Sequence, residues 1–312
     1  MKKLNATILL FVFLCCAPEL LAQPTNFTTS NYYKHQRKEV FFGVGATQTL
    51  TDLGGLNRVG TDYSFVDLEF AETRIGGHIG FRYRFKPWWC TKTILQYGWF
   101  SGDDRTTNEP YRRNRNLNFS THMFELSQHL ELIVYNNEHF GKRHSIKGLK
   151  GMRNKNTLVY FFGGISGFTW LPKAKGGPWL RNLNTEGQGL PGGPKDYGYF
   201  SYGIPGGMGC KIGLDALWRI TFELSYTKTF TDYFDDVSGV YYDNQAIADA
   251  YGAQAAQYAD PATSPFWTWT YQGERRGDSN QNDAYFFFNV SFVRNVTYKR
   301  SKRMKWRYKA RY

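Results

Sequence analysis

The chain lacks the features that mark a helical membrane protein, a metalloprotein or a hydrolase. After residue 25, no segment approaches the ~18 consecutive apolar residues of a membrane-spanning helix, which excludes a polytopic helical protein. Of the four cysteines, only Cys90 and Cys210 lie beyond that point, and no Cys or His cluster has metal-ligand spacing. Neither a nucleophile-elbow pattern nor His-Glu-x-x-His occurs, so we predict a protein without enzymatic activity and without a cofactor.

The first 22 residues have the pattern of a signal peptide. Lys2 and Lys3 precede a mostly apolar run over residues 4–17, and Leu-Leu-Ala at 20–22 is a suitable cleavage site before Gln23. We therefore expect the mature protein to be exported.

The dominant pattern of the remaining chain is alternation of apolar and polar residues. Over residues 75–85, Ile79 and Phe81 share one parity with other apolar residues, and His78 and Arg82 share the opposite parity. The pattern recurs at 122–134, 216–230 and 285–292, and more weakly at 38–49, 90–101, 157–170 and 200–213. This alternation predicts eight β-strands, each with one apolar and one polar face.

Two architectures accommodate such strands. A soluble sandwich buries the apolar faces, whereas a membrane barrel turns them toward lipid and encloses the polar faces. The segments are longer than most soluble strands and fit the ~9–11 tilted residues that cross a bilayer. We therefore predict an all-β, eight-stranded antiparallel up-and-down transmembrane β-barrel, integral to the outer membrane and in contact with its lipids.

The polar parity also predicts what fills the lumen, since a barrel this small is filled by its own side chains. The inward side chains are expected to pair their charges: His78, Arg82, Arg84, Lys92, Glu125, His129, Glu131, Arg219 and Glu223. Aromatic residues near strand ends are expected to form interfacial belts: Trp88, Trp89, Trp99, Phe100, Trp170, Trp218 and Tyr226. Cys90 and Cys210 fall on non-neighbouring strands, so both thiols are predicted to stay free.

Loop lengths predict the orientation of the barrel. Short turns, here at 87–89 and 215–216, usually face the periplasm, and long loops face outside. The long extracellular loops are then 50–71, 102–116, 171–199 and 231–281, and the last contains an alanine-rich stretch suited to a short helix. The expected organisation is a signal peptide at 1–22, a periplasmic segment at 23–37, the barrel at 38–298 and a basic periplasmic tail at 299–312.

The net charge of +13 is concentrated in two segments on the predicted periplasmic side. The connection 136–156 contains six basic residues, and the tail contains eight basic and no acidic residues. The candidate partner-binding residues are Lys142, Arg143, Lys147, Lys150, Arg153 and Lys155 in the connection and Lys299, Arg300, Lys302, Arg303, Lys305, Trp306 and Arg307 in the tail. These segments are predicted to contact either an acidic protein partner or phospholipid headgroups, and nucleic acid is not an expected partner in this compartment.

An acidic segment, Thr-Asp-Tyr-Phe-Asp-Asp-Val-Ser-Gly at 231–239, follows the seventh predicted strand. Asp232, Asp235 and Asp236 offer oxygen ligands for a cation, although the spacing is not that of an EF-hand. The other interpretation is a structured turn in which the carboxylates accept hydrogen bonds from nearby backbone N–H groups, and this interpretation is favoured.

The same segment resembles the hallmark of the PorG-like outer-membrane proteins of Bacteroidetes. Ile-Pro-Gly-Gly-Met-Gly at 204–209 is similar to that family's Ile-Pro-Phe-Gly segment, with Gly207 in place of a bulkier residue. Further similar segments are 80–88, 98–104, 276–277 and 282–285, so the resemblance spans roughly residues 38–298.

The resemblance implies a component of the type IX secretion system. In that family the barrel associates with a periplasmic ring of the PorK lipoprotein and PorN, named GldK and GldN in gliding species. We therefore expect a non-enzymatic barrel that anchors or docks this periplasmic ring at the outer membrane. The alternative is a passive outer-membrane barrel, an adhesin or envelope-stability protein, with no role in secretion.

Overall fold

The computed structural model describes residues 37–53, 70–107, 109–137, 157–214, 218–264, 268–279 and 281–296, and these form a closed β-barrel. The strands are β1 (Lys38–Leu50), β2 (Arg74–Arg84), β3 (Trp89–Asp103), β4 (Asn118–Asn137), β5 (Thr157–Lys173), β6 (Phe200–Gly213), β7 (Trp218–Thr229) and β8 (Ala284–Asn295). Each strand pairs antiparallel with the next, and β8 closes the barrel against β1. The predicted eight-stranded up-and-down topology is confirmed.

The predicted faces are also confirmed, because side-chain exposure alternates along the strands. On β2, Ile75 is 69% exposed and Ile79 54%, whereas His78 and Arg82 between and beyond them are buried. The same alternation on β4, β7 and β8 turns apolar residues outward and polar or aromatic residues inward.

Inward glycines on β6 create space inside the barrel for large side chains of β5. A Cβ at Gly209 would lie 2.4 Å from the aromatic ring of Tyr160, and one at Gly207 would lie 2.7 Å from Phe162. The two strands pair directly, with Tyr160 opposite Gly209 and Phe162 opposite Gly207. Glycine on one strand therefore allows an aromatic side chain on its neighbour to lie across the lumen.

The two ends of the barrel differ, and we name them the mouth and the base. The mouth carries the four long loops, which contain the helices α1 (Pro110–Arg115), α2 (Asn244–Tyr251) and α3 (Ala253–Ala259). Short 3₁₀ turns there cover Phe70–Glu72, Asp104–Thr106, Leu180–Leu183 and Thr268–Thr270. The helix expected in the alanine-rich stretch is present as α2 and α3. Within the described part of the chain, no helix is long and apolar enough to cross a membrane.

The base carries the tight turn between β2 and β3, the first residues of β1 and the last residues of β8. The connection between β4 and β5 also leaves from this end. The predicted signal peptide, most of the basic connection, the turn at 215–216 and the basic tail lie outside the described residues.

Candidate functional site

The base half of the lumen contains a network of seven buried charged side chains. Its carboxylates come from β1, β4 and β7, and its cations come from β2, β3, β6 and β7. The members are Glu39, Arg82, Lys92, Glu131, Lys211, Arg219 and Glu223. All are less than about a tenth exposed, so the network is enclosed by the barrel wall.

Glu39 connects strands on different sides of the barrel. Its carboxylate accepts from Arg82 Nη1 at 3.2 Å, Lys211 Nζ at 2.5 Å and Arg219 Nη1 at 2.8 Å. Sequence reasoning did not place Glu39 or Lys211 in the lumen. Glu39 directly follows Arg37 and Lys38 at the start of β1, where no face is evident, and Lys211 lies in the glycine-interrupted, weakly alternating strand β6.

Arg82 and Glu223 extend the network across the lumen. Arg82 Nη2 donates to Glu131 Oε1 at 2.9 Å and to the Tyr160 hydroxyl at 3.1 Å. That hydroxyl donates to Glu223 Oε2 at 2.7 Å, and Lys92 Nζ on β3 donates to Glu223 Oε1 at 2.6 Å. Since these contacts connect facing walls of the barrel, the base half is filled by paired charges, as predicted.

The mouth half of the lumen is filled by aromatic and apolar side chains instead. Its core consists of Leu53, Phe100, Leu117, Phe119, Met123, Phe168, Trp170, Phe234, Val237, Tyr285 and Phe287, with Ala174 and Leu180 at its edge. The prediction that Phe100 and Trp170 belong to the interfacial belts is wrong. Both lie on the inward parity of their strands and are fully buried, where they fill space that the charged network leaves open.

One carboxylate lies at the boundary of the two halves. Glu125 faces inward on β4 and accepts a hydrogen bond from the Tyr285 hydroxyl at 3.0 Å. Tyr285 belongs to the aromatic cluster, so this bond links the polar and aromatic layers.

The Asp-rich segment after β7 closes the mouth. Phe234 inserts among the aromatic side chains of the lumen, with its ring 5.3 Å from that of Phe100 and 5.7 Å from that of Tyr285. Asp283 accepts from the Phe234 backbone N–H at 2.9 Å, and Asp235 accepts from the backbone N–H groups of Leu53 and Val237 at 3.0 Å each. The segment therefore acts as a cap that is held by its own Asp235 and by Asp283, the residue before β8.

Other contacts attach this cap to neighbouring loops. Asp236 accepts from the Thr185 hydroxyl at 2.7 Å and from the Tyr197 hydroxyl. Glu186 accepts from the Ser238 backbone N–H at 2.8 Å and from Arg276 Nη1 at 2.9 Å.

The structured-turn interpretation of the Asp-rich segment is confirmed for Asp235, since its carboxylate bonds nearby backbone N–H groups. Asp236 instead bonds two side-chain hydroxyls, and Asp235 and Asp236 thus contact different parts of the mouth. Among the described residues, no group of three or more His, Cys, Asp or Glu side chains has an arrangement that could hold a metal ion.

Burial changes the acidity of the cap. It raises the pKa of Asp232 to about 7, and the nearby carboxylates of Asp52 and Glu186 add to the rise. Burial also raises the pKa of Asp236 to about 6, against the lowering effect of Arg276. The pKa values of Asp235 and Asp283 rise for the same reason, with further contributions from neighbouring carboxylates.

The outer face of the barrel is apolar and exposed. Its most exposed large side chains include Phe42, Val44, Ile75, Ile79, Leu95, Phe124, Leu126, Ile165, Ile204, Met208 and Phe288. Of the predicted belt residues, Trp99 faces outward near the mouth, Trp89 and Trp218 face outward near the base, and Tyr226 shares the outward parity of β7. An apolar outer face with aromatic side chains near both ends, around a closed and filled lumen, defines a β-barrel of the membrane-spanning class.

Among the described residues, the thiols and histidines do not form a reactive site at either rim. Cys90 and Cys210 are both free, as predicted; Cys90 faces the lumen and Cys210 the outside. His78 Nε2 lies 2.7 Å from Ser291 Oγ, but both side chains are buried inside the barrel. His122 faces outward and bonds the Tyr97 hydroxyl at 2.8 Å.

Comparison with known proteins adds little beyond the architecture. No protein-family model and no curated protein matches the chain. Two solved structures of Ail, the attachment invasion locus protein of Yersinia pestis, are similar; one of them contains the heparin analogue sucrose octasulfate. Sequence identity is 7% in both cases, with coverage of 83% and 84% of this chain and 99% of Ail, and TM-scores of 0.33 and 0.34. At this level the likeness carries no inference about function.

Proposed function

We propose that this chain is a non-enzymatic outer-membrane barrel of the type IX secretion machinery, which anchors a periplasmic ring of the PorK/PorN (GldK/GldN) type. The observation that carries the proposal is the sealed lumen. Because cross-lumen ion pairs fill the base half and a cap closes the aromatic half, the barrel offers no path for a substrate. We therefore assign its function to the outer surface and the two ends of the barrel.

The base end supports the choice of an anchoring role. β4 ends at Asn137 and β8 ends at Asn295, both at the base, so the basic connection and the basic tail leave the barrel from the same rim. In sequence, these two segments contain fourteen basic residues. We propose that both chain termini lie in the periplasm, where an acidic face of a ring lipoprotein is complementary to these segments.

The proposal is tested by purification of the tagged protein from outer membranes, followed by mass spectrometry. We expect ring proteins to co-purify, and deletion of residues 299–312 to weaken their recovery more at low salt than at high salt, where the attraction of the tail is already screened. A matched control replaces mouth-end arginines Arg105, Arg112 and Arg113 with glutamine, which should leave recovery unchanged. Full recovery of the ring by the deletion variant at both salt concentrations would contradict the role of the tail.

A passive surface-exposed barrel is the second candidate, and the folded mouth favours it. Loops that serve only to join strands do not need two helices, a buried hydrophobic cluster around Ile247 and an Arg276–Glu186 ion pair. Absence of all ring proteins from the purified material, with normal membrane insertion, would support this candidate over the secretion role.

A further inference from the structure

Two cations at the mouth end of the β5 wall form no ion pair within the described part of the chain. Lys173 is the last residue of β5, and Arg181 lies in the Leu180–Leu183 turn that follows it. Several other cations of the mouth are neutralised by carboxylates: Arg74 by Glu72, Arg105 by Asp103, Arg112 by Glu109, Lys175 by Glu72 and Asp103, and Arg276 by Glu186. The charges of Lys173 and Arg181 are therefore available to a ligand.

Strand register places Lys173 on the outer face of the barrel. It shares the outward parity of β5 with Leu171. An isolated antiparallel bridge pairs Lys173 with Trp179, and residues directly opposite each other project to the same face, so Trp179 also faces outward. Lys173 Nζ lies 5.5 Å from the centre of the Trp179 ring, which is within the range of a cation–π contact. The ammonium group is thus positioned at the outer surface, where it makes no hydrogen bond to a described residue.

Arg181 follows Trp179 by two residues, and local contacts fix its guanidinium. Its Nε and Nη2 donate to the Tyr197 carbonyl at 3.0 and 2.7 Å. The guanidinium carbon lies 3.7 Å from the centre of the ring of Tyr199, an exposed side chain at the start of the β6 wall. Among the described residues, Nη1 has no acceptor. A guanidinium held in this way loses little conformational freedom when Nη1 donates to an anion.

The outer face on the base side of these cations is apolar and aromatic. Leu171 on β5 is 40% exposed, and Phe200 and Tyr202 on the neighbouring β6 are 57% and 62% exposed. The rings of Phe200 and Tyr202 meet edge to face with their centres 4.9 Å apart. In a membrane-spanning barrel such a surface contacts acyl chains. Two cations above an acyl-chain surface match a molecule that has an anionic head and apolar chains, which is a lipid.

The charge of the two side chains selects the headgroup. A phosphate monoester carries about −1.5 to −2 charges at neutral pH and has three acceptor oxygens. The Lys173 ammonium offers three donors and Arg181 Nη1 offers further donors, and together the two groups carry a charge of opposite sign and similar size. A neutral or zwitterionic headgroup would leave this charge uncompensated. Charge complementarity therefore favours a lipid with a phosphate-monoester headgroup.

We propose that the outer face around Lys173 and Arg181, the 173–181 rim, binds a lipid with a phosphate-monoester headgroup, whose acyl chains lie along β5 and β6. The site is at the mouth, at the opposite end of the barrel from the basic segments. It does not rest on the proposed ring-anchoring role, since a protein that fails to bind ring lipoproteins would still bind the lipid.

Lipid titration of the detergent-solubilised full chain, followed by native mass spectrometry, tests the proposal. The probes are dioleoyl phosphatidic acid, dioleoylglycerol, which has the same chains without phosphate, and glycerol 3-phosphate, which has the headgroup without chains. We expect saturable binding of phosphatidic acid at lower concentrations than either comparison compound. Lys173→Gln and Arg181→Gln should each weaken this binding at least about threefold, because a charge-assisted hydrogen bond is lost. Lys173→Arg keeps the charge and should bind like the wild type.

Arg294→Gln is the matched control at the other end of the barrel. The Arg294 guanidinium lies 5.5 Å from the centre of the Trp218 ring, so it forms the same type of pair at the base, and its loss should leave binding unchanged. Because the Lys173 side chain makes no internal hydrogen bond, Lys173→Gln should keep the β-sheet circular dichroism of the wild type.

Three results would overturn the proposal. The first is no saturable binding of phosphatidic acid to folded protein. The second is equal binding of dioleoylglycerol or glycerol 3-phosphate, which would mean that chains or free anion alone suffice. The third is a loss in Arg294→Gln as large as that in Lys173→Gln, which would show adsorption at any cation near an aromatic ring.

Discussion

The base half of the lumen contains seven charged side chains in one network, whereas the mouth half contains aromatic side chains, one of them supplied by a loop. In the base half, every partner lies on a strand, so strand register alone determines which charges meet. In the mouth half, Phe234 completes the packing from outside the sheet. We infer that the charged half belongs to the barrel itself, while the aromatic half can be opened by releasing the cap.

Loss of one cation from the charged half should cause the largest decrease in the free energy of unfolding. Arg82→Met would leave Glu131 with only Lys92, whose Nζ is 3.8 Å away, and would remove one of the three cations around Glu39. Breaking a buried pair in this way costs about 3–5 kcal/mol. We expect a large drop in the free energy of unfolding, measured by urea titration of the protein in lipid vesicles.

The matched control for this prediction is Arg105→Met. Its guanidinium is 61% exposed and pairs with Asp103 at the mouth surface, where an ion pair contributes at most about 1 kcal/mol. Equal losses in the two variants would show that the buried network does not stabilise the barrel.

Removal of the loop residue from the aromatic half should open the mouth and leave the barrel intact. Phe234→Ala creates a cavity between Phe100 and Tyr285, with a cost of about 3 kcal/mol that is confined to the cap. Limited proteolysis should then cleave the mouth loops rapidly while the strands stay protected. Tyr271→Ala, at an exposed position of the same loop, is the control and should not change the cleavage rate.

The cap should be more stable in mild acid than in mild base. A carboxyl whose folded-state pKa is raised contributes stability below its unfolded pKa of ~4, and this contribution is lost as pH rises through the folded value, about 7 for Asp232. Hydrogen exchange of the cap should therefore slow as pH falls from about 8 to about 5, after correction for the intrinsic exchange rate.

Asp232→Asn should weaken this pH dependence, because the amide cannot ionise. The exposed Asp249→Asn substitution should preserve it. A pH profile of Asp232→Asn identical to that of the wild type would mean that Asp232 is not one of the groups responsible.

Substitution of Glu125, at the boundary between the halves, should have the smallest effect on the free energy of unfolding. Glu125→Gln keeps an acceptor for the Tyr285 hydroxyl, so we expect the free energy of unfolding to change by less than about 1 kcal/mol. Glu131→Gln removes a charge that is paired with Arg82 and should cost more, about 1.5–3 kcal/mol. Equal effects would place Glu125 within the charged network, which would move the boundary.

The alternation of the sequence was sufficient to predict the barrel and much of its charged lumen. On β2, β4 and β7, consecutive apolar and polar residues define the two faces without ambiguity, and Arg82, Glu131 and Glu223 lie where the parity places them. Lys211 escaped prediction because glycines around it remove the side chains that would reveal a face, and Glu39 because it directly follows Arg37 and Lys38 at the start of β1.

The aromatic half was less predictable, since an aromatic residue near a strand end is suited either to the lipid interface or to a lumen. Trp99 and Phe100 are adjacent in sequence, but Trp99 faces outward and Phe100 fills the lumen. Phe234 lies in a loop without periodicity, and its place in the lumen depends on contacts with Phe100 and Asp283, which are distant in sequence.

The central claim is that the lumen is sealed, and conductance across a planar lipid bilayer tests it most directly. Purified wild-type protein should insert and show no current steps above the bilayer background at any salt concentration, while a porin in the same membrane conducts. The Phe234→Ala variant should also show no current steps, because the charged half would still block the lumen. Stable ohmic steps from the wild-type protein that grow with salt concentration would contradict the account.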